Sequence, residues 1–589
     1  MDAKRRPWLL SLLASRGAGW AGLVVALAFA VPSVGSGFSS DDDIILPALE
    51  GNRLDAPPWY DLYYFAGRAL DDVVGRGILP WWSAPHLRLH LVRPLPSALI
   101  ALDHAIFGHA AIGYHLHSLL WLTALLLLAR SFFLRVLDPP VATLALFVFA
   151  FSPNFTLAAR LVAARHILVT AVAVASGLLL LVQSEASPKR RWAAAVAFSL
   201  GLAAGEGGLA GLAFWATYEM LGPSARTSRM RVRRALAPLV LGMAYLVVYA
   251  LVAGGAREMD LYVDPLSDPL GFAKAVAFRL PMLLGNVVWL ADAGLGVFWP
   301  GPVIALGVAG VAMVGWIFTK MSSIVPPSEN AALRWLVPGA LLATVGVGGG
   351  MPGGRELVVP SLGFAPLLAT VLFYGWRAVS ADAGRTPWLR RTAVALLSLL
   401  HVVLAPLATL GTWEIVRRSA LATTRVARQM KDAAGGAHRV VLLTASDPAV
   451  WIYALRLARN ERPGPMKDGC WWVASAAKAD HRIAQIDPKS FSVETIGTTF
   501  LSGDTERMYR AKRLPMSIGD EVAQCGSIVR VASALGGRPT RVDIHFDSSL
   551  DDPDLALLAW RNGQIERVSP SEVSPGLTIW WSPGPLGVL

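Results

Sequence analysis

Long apolar runs separated by short polar gaps govern the first two thirds of the chain. A helix rises 1.5 Å per residue, so about 20 mostly apolar residues cross a bilayer. On that measure eleven stretches predict membrane-spanning helices: 19–38, 112–134, 139–156, 166–184, 191–205, 207–222, 235–254, 301–320, 333–350, 361–377 and 392–414. The GEGG at 205–208 reads as a tight turn between two of them. After Trp413 the pattern shortens to strand-like alternation broken by polar turns. There HRVVLLTA reads as a strand and DPAVWIYALRLARN as a helix capped by Asp447. TRVDIHFD, ALLAWRNGQIERV and LTIWWSP read as further strands with polar turns. The expected fold is a polytopic α-helical membrane protein with about 11 transmembrane helices and a C-terminal β-rich domain. Its parts are a cytoplasmic N-terminus at 1–18, a membrane domain at 19–414 and a soluble domain at 421–589.

Composition agrees with this division. The chain of 589 residues is 54% hydrophobic and 16% charged, against about 25% charged in ordinary soluble domains. The net charge of +12 would suit a nucleic-acid partner if it formed one patch. Instead the basic residues fall in alternate gaps: Arg130 and Arg135, PKRR at 188–191, RTSRMRVRR at 226–234, Lys320 and Arg334, then Arg377, Arg385, Arg390 and Arg391. That alternation follows the positive-inside rule and argues against nucleic acid as a partner. Lys4, Arg5, Arg6 and Arg16 hold the N-terminus cytoplasmic, and the first apolar run is read as a retained span, with a cleaved signal peptide as the alternative. Eleven spans then leave the C-terminus outside. Cys470 and Cys525 are the two cysteines; outside the cytoplasm they can form a disulfide, and two unpaired buried thiols are the other reading.

Two predicted outer segments are too long to be turns. The segment 39–111 opens on SSDDDII and contains helix-like stretches at 58–77 and 93–108. The second of these is apolar but shorter than a span, which suits a helix lying along the membrane surface. The segment 255–300 is aromatic and punctuated by proline. The tryptophans of PWW (80–82), WLTA and FWP read mostly as interfacial belt residues. Ionisable groups near outer span ends are the candidates for chemistry: Asp41, Asp42, Asp43, Arg93, Asp103, His104, Arg160, Arg165, His166, Glu206 and Arg355. Carboxylates can serve as a general base or hold a divalent cation, and arginines contact phosphate in bidentate fashion. Several have bland readings as well. Arg160 and Arg165 can reach headgroups simply as anchors, Glu206 can be a solvated turn residue, and His104, His115 and His117 can be packing residues.

The order of four motifs resembles the GT-C superfamily of membrane glycosyltransferases, in the branch of the protein O-mannosyltransferases and aminoarabinose transferases. They are SSDDDII, VRPLPSALIALDHAIFGHAAIGYHLHSLLW, FSPNFTLAARLVAARHILVTA and GRELVVPSLGF. The likeness covers about residues 19–414. It implies an inverting transfer of a sugar from a polyprenyl-phosphate donor to a glycan, lipid or protein acceptor, on the periplasmic face of a bacterial inner membrane. Carried over, Asp42 with Asp43 or Asp41 is the base and its partner. Arg93 and Arg355 are lipid-phosphate ligands, joined by Arg165 and Arg160, with Asp103, His104 and Glu206 as accessory residues. If a divalent cation (Mg or Mn) takes part, Asp41, Asp42 and Asp43 are its candidate ligands. The chain departs from the pattern at RHIL (165–168), at AAGEGG around Glu206 and at Glu356 after the late arginine. These departures leave the donor sugar open and keep a non-catalytic envelope-assembly scaffold as the alternative. A transporter is disfavoured, since no broken-helix repeat is seen. A reporter enzyme fused after residue 420 is expected to read as periplasmic; a cytoplasmic reading breaks the predicted parity.

Overall fold

The computed structural model describes residues 13, 15–50, 57–184, 187–223, 227–381, 388–460 and 469–585. Lys4, Arg5, Arg6, Arg226 and Arg385 lie outside them. Among the described residues, nine helices are long and apolar enough to cross a membrane. Eight coincide with expected spans, from Gly17–Gly35 to Trp388–Ala434. The other three expected spans are shorter helices: Pro139–Ala150, Pro188–Ala204 and Gly208–Leu221. The last two fold back on each other through the glycine turn. A Cβ on Gly208 would stand 2.4 Å from the Gly201 carbonyl carbon, so only glycine permits this approach.

Two expectations about the long segments need correcting. The segment 255–300 contains a ninth long apolar helix, Pro269–Trp289; Phe272 near its start and Asn286 near its end both meet the 348–354 loop, so it is not counted as a twelfth crossing. Lys274, Arg279 and the internal Pro281 lowered its apolar signal below that of its neighbours. The 348–354 loop accompanies it, meeting Phe272, Val276, Arg279 and, at Gly354, Asn286. Residues 58–77 do not form one helix. They hold a strand, Tyr64–Ala66, and a single short helix, Leu70–Gly75. The strand pairs with Arg88–His90, which pairs in turn with Gly255–Arg257, so both long outer segments join one small sheet. The expected helix at 93–108 is present as Pro94–Phe107, with Arg93 at its N-cap position and proline at N1.

At the end opposite this sheet, buried acidic side chains meet the loop ends. Arg191 pairs with Glu219 at 3.4 Å, and Glu329 accepts the Asp138 amide at 3.0 Å. The main core lies between the helices, around residues such as Phe133, Phe149, Phe214, Trp335 and Leu336.

The last long helix, Ala405–Ala434, follows a π-helical stretch at Leu399–Leu404 and continues into the C-terminal unit, where Val426, Ala427, Met430 and Ala434 are buried in a second core. The composition boundary at 421 therefore falls inside a helix. Beyond it, a four-stranded and a six-stranded sheet form. The strands Leu555–Arg561 and Gln564–Val568 are joined by Asn562 and Gly563, with φ of 53° and 79°. Positive φ at both turn positions matches the twist of a two-residue hairpin.

Trp81 and Trp82 are not belt residues: both are buried in this second core. Trp81 Nε1 donates to the Ala474 carbonyl at 3.0 Å. Around them the outer loop is stitched to the C-terminal unit. Gln524 donates to the Val74 and Leu79 carbonyls, and the Cys525 amide to the Gly75 carbonyl at 2.7 Å. Cys470 and Cys525 form a disulfide across 55 residues of sequence. A loop of that length is worth about 4 kcal/mol in the chain-entropy account. Replacing both cysteines by serine is expected to lower the denaturant stability of the C-terminal unit in the full chain by about that order. Alkylation of either thiol in unreduced wild-type protein would contradict the pairing.

Candidate active site

One cavity of about 460 Å³ lies where the small sheet, the helix ends and the C-terminal unit meet. Its polar wall carries Asp41, Arg93, His166, Glu206, Arg355 and Glu356. Six tyrosines, among them Tyr63, Tyr245, Tyr262 and Tyr453, also line it, and so does Arg456. The rest of the wall is apolar, with Leu89, Leu209, Leu246, Phe272 and Val347. A mixed wall of this kind can take an anionic group and an apolar chain together.

Arg93 ends the approach to the Pro94–Phe107 helix, and its guanidinium crosses to the glycine turn. There it pairs with Glu206 through both Nε, at 3.2 Å, and Nη2. Beneath it the Tyr63 ring lies 4.9 Å from the guanidinium carbon, and His166 Nδ1 is 3.3 Å from Nη1. Burial pushes the Glu206 carboxyl up, but the charge and hydrogen bonds of Arg93 outweigh it and hold the group below the ordinary range. Burial opposes the charge of Arg93 as well, and Glu206 more than restores it.

Arg355 sits in the turn Gly354–Leu357 and pairs with Glu356 at 3.3 Å. Burial works against its charge; Tyr262, Glu356 and Asp41 restore it, and Arg93 opposes it. Both guanidinium groups line the same cavity. Burial keeps the Glu356 carboxyl above its ordinary value despite both arginines. A Cβ on Gly354 would stand 2.1 Å from Asn154 Oδ1, so this position requires glycine to seat the turn.

The three consecutive aspartates separate. Asp41 is the N-cap of the helix Asp42–Leu49 and lines the cavity, where its Oδ1 accepts the Tyr453 hydroxyl at 3.1 Å. Asp42, the expected base, points the other way. It is buried, with Oδ1 accepting the Ala163 amide at 2.7 Å and Oδ2 the Ser39 amide at 3.3 Å. Successive helical residues turn by about 100°, so neighbours in sequence cannot share one direction. Asp43 does not line the cavity.

Four other candidates stand apart from the cavity. Arg165 is fully buried, where it pairs with Asp103 and donates to Ser118 at 2.9 Å and to the Tyr114 carbonyl at 2.7 Å. Asp103 also meets His117 at 2.7 Å. These groups form a satisfied internal brace between helices, the arrangement that a buried charge requires. His104 lies 3.2 Å from the Tyr114 hydroxyl. Arg160 donates to the Thr412 carbonyl at 3.0 Å and stacks on Trp413 at 5.1 Å, tying a short helix to the last long one.

Among the described residues no group of three or more His, Cys, Asp or Glu side chains is placed to hold a metal ion. Asp41, Asp42 and Asp43 do not converge, so they do not fit the cation site expected of them. Sequence reasoning missed Tyr453, Arg456, Tyr245 and Tyr262, and took Glu356 only as a departure from a motif.

The fold and cavity define a polytopic helical membrane protein whose β-rich C-terminal unit closes a mixed arginine, carboxylate and tyrosine site. No family model and no curated protein matches the chain. Among solved structures it is similar to ArnT from Cupriavidus metallidurans bound to undecaprenyl phosphate, at 15% identity and TM-score 0.41, over 75% of this chain and 85% of that one. It is also similar to the oligosaccharyltransferase of Archaeoglobus fulgidus in the apo form, at 12% identity and TM-score 0.38, over 75% of this chain and 64% of that one. A structure of the same archaeal enzyme with an inhibitory peptide and a dolichol-phosphate aligns at 12% identity and TM-score 0.35, over 70% of this chain. This chain spans about 58% to 64% of the length of those archaeal structures. Likeness at this level does not carry the reading of the site, which rests on the residues of this chain.

The burial of Asp42 yields a pH prediction. Desolvation, reinforced by Asp43 and opposed by the backbone amides, pushes its carboxyl from 3.8 up to about 8. The folded state therefore holds the proton more tightly than the unfolded state. The stability this supplies is complete below about pH 4 and is lost as pH rises through about 8. The difference in melting temperature between wild type and Asp42→Asn is expected to fall progressively over that window. A difference that does not change with pH would contradict the assignment.

Proposed function

We propose that this chain is an inverting glycosyltransferase that moves a sugar from a polyprenyl-phosphate donor to an envelope acceptor on the periplasmic face of a bacterial inner membrane. One observation carries the reading: Asp41, Arg93 and Arg355 line a single cavity whose remaining wall is largely apolar. The disulfide between Cys470 and Cys525 supports an oxidising location for the C-terminal unit. Basic gaps at the opposite end of the helices support the same orientation.

In this reading Arg93 and Arg355 bind the lipid phosphate, and Glu206 aims Arg93. Leu209, Leu246 and Phe272 offer an apolar path for the first isoprene units. Asp41 takes the proton of the acceptor hydroxyl, held in place by Tyr453. The acceptor oxygen attacks the anomeric carbon from the face opposite the phosphate. The bond from that carbon to the phosphate oxygen breaks, and the electron pair leaves on the lipid phosphate. Fixed guanidinium groups at the developing charge lower the barrier without reorganising. The assignment of the base thus moves from Asp42 to Asp41. No step needs a metal ion from these residues.

Asp41→Asn and Asp42→Asn strains separate the two aspartates. At normal protein levels, Asp41→Asn is expected to abolish the glycan change that wild type makes in the envelope, a loss of at least about 100-fold for a removed base. Asp42→Asn is expected to retain most of it. Unchanged envelope glycans in Asp41→Asn would sink the catalytic reading and leave the scaffold.

A further inference from the structure

Arg279 lies outside the cavity, yet it shapes two of its walls. It sits on the apolar helix Pro269–Trp289. Its Nη1 donates to three successive carbonyls, of Gly348 at 3.2 Å, Gly349 at 3.0 Å and Gly350 at 2.8 Å. Its Nη2 donates to the carbonyls of Asp260 at 3.4 Å and Leu261 at 3.2 Å. All five of these bonds go to main chain. The first set of carbonyls belongs to the strand of chain that leads into Arg355, and the second to the strand that leads into Tyr262.

The loop it holds is intrinsically loose. Five of the seven residues at 348–354 are glycine, and glycine has the most backbone freedom to lose on folding. Val347, Gly349, Gly350 and Met351 line the cavity directly. The far end of the loop is seated where Gly354 meets Asn154. The near end has the Val263 amide donating to the Gly349 carbonyl at 2.9 Å, plus the Arg279 fork. A planar guanidinium spans two directions at once, which a lysine ammonium cannot reproduce. An arginine on an apolar helix whose donors meet main-chain carbonyls is the expected device for fixing such a turn.

We infer that Arg279 is the positioning residue that fixes the glycine-rich 348–354 loop and so sets Arg355 for binding a lipid-linked phosphate. The phosphate role rests on the proposed function; the pinning of the loop does not. Two readouts on the purified full-length chain in nanodiscs keep them apart, for wild type, Arg279→Met and Arg279→Lys. Amide hydrogen exchange is followed over residues 346–356 and 258–264, and binding of undecaprenyl phosphate is titrated. Arg279→Met is expected to speed exchange at these two segments while the remaining helices keep wild-type rates. It is also expected to weaken undecaprenyl-phosphate binding about tenfold or more, because the binding arginine is no longer preorganised. Arg279→Lys is expected to fall between the two. Wild-type exchange at 346–356 in Arg279→Met overturns the inference, as does a loosened loop with wild-type binding. A wild-type chain that does not bind undecaprenyl phosphate at all counts against the proposed function. The exchange rates still decide whether Arg279 pins the loop. Should Arg279→Met fail to accumulate, the same comparison is made with Arg279→Lys, where unchanged exchange and unchanged binding together overturn the inference.

Discussion

The ion pair between Arg93 and Glu206 is the contact on which the site depends. A guanidinium removed from water costs several kcal/mol unless a carboxylate meets it, and Glu206 meets it through two nitrogens. The pair joins the head of the Pro94–Phe107 helix to the turn between two short helices, so the outer loop is locked to the membrane domain at this point. It also decides the character of the cavity. Glu206 balances the buried charge of Arg93, whose guanidinium also lies beside Tyr63 and His166. The close packing of Gly201 on Gly208 flanks the turn that carries Glu206.

A second constraint comes from the far end of the chain. The C-terminal unit does not hang from the membrane domain by a tether. A continuous helix delivers it, and Trp81 and Trp82 of the outer loop enter its core. That clamp brings Tyr453 to Asp41 across 412 positions of sequence. The site is thus a three-body assembly of outer loop, helix ends and β-rich unit. Each body supplies at least one polar group: Asp41 and Arg93, Glu206 and Arg355, Tyr453 and Arg456.

Much of this was legible in the residues. Apolar run length gave every expected span a helix, and alternation in TRVDIHFD and ALLAWRNGQIERV gave strands and a hairpin, because both signals are periodic and local. Arg93, Glu206 and Arg355 were legible as charges at span ends. What could not be read was direction. Asp41 and Asp42 are equivalent in a sequence, and only the fold turns one toward the cavity and the other toward the Ala163 amide. The same holds for Arg165, whose burial against Asp103 depends on how three helices meet. Tyr453 and Arg456 carry no motif at all. Pro269–Trp289 stayed hidden because its charged Lys274 and Arg279, and a proline, interrupt the apolar signal that run length detects.

The central claim is that one cavity holds a lipid phosphate between two arginines with Asp41 beside it. The most direct measurement is a cryo-electron microscopy structure of the full chain in nanodiscs with undecaprenyl phosphate. The account predicts phosphate density within hydrogen-bond reach of Arg93 and Arg355, with the isoprene chain running past Leu209 and Leu246. Density for the phosphate elsewhere, with this cavity closed to it, would contradict the account.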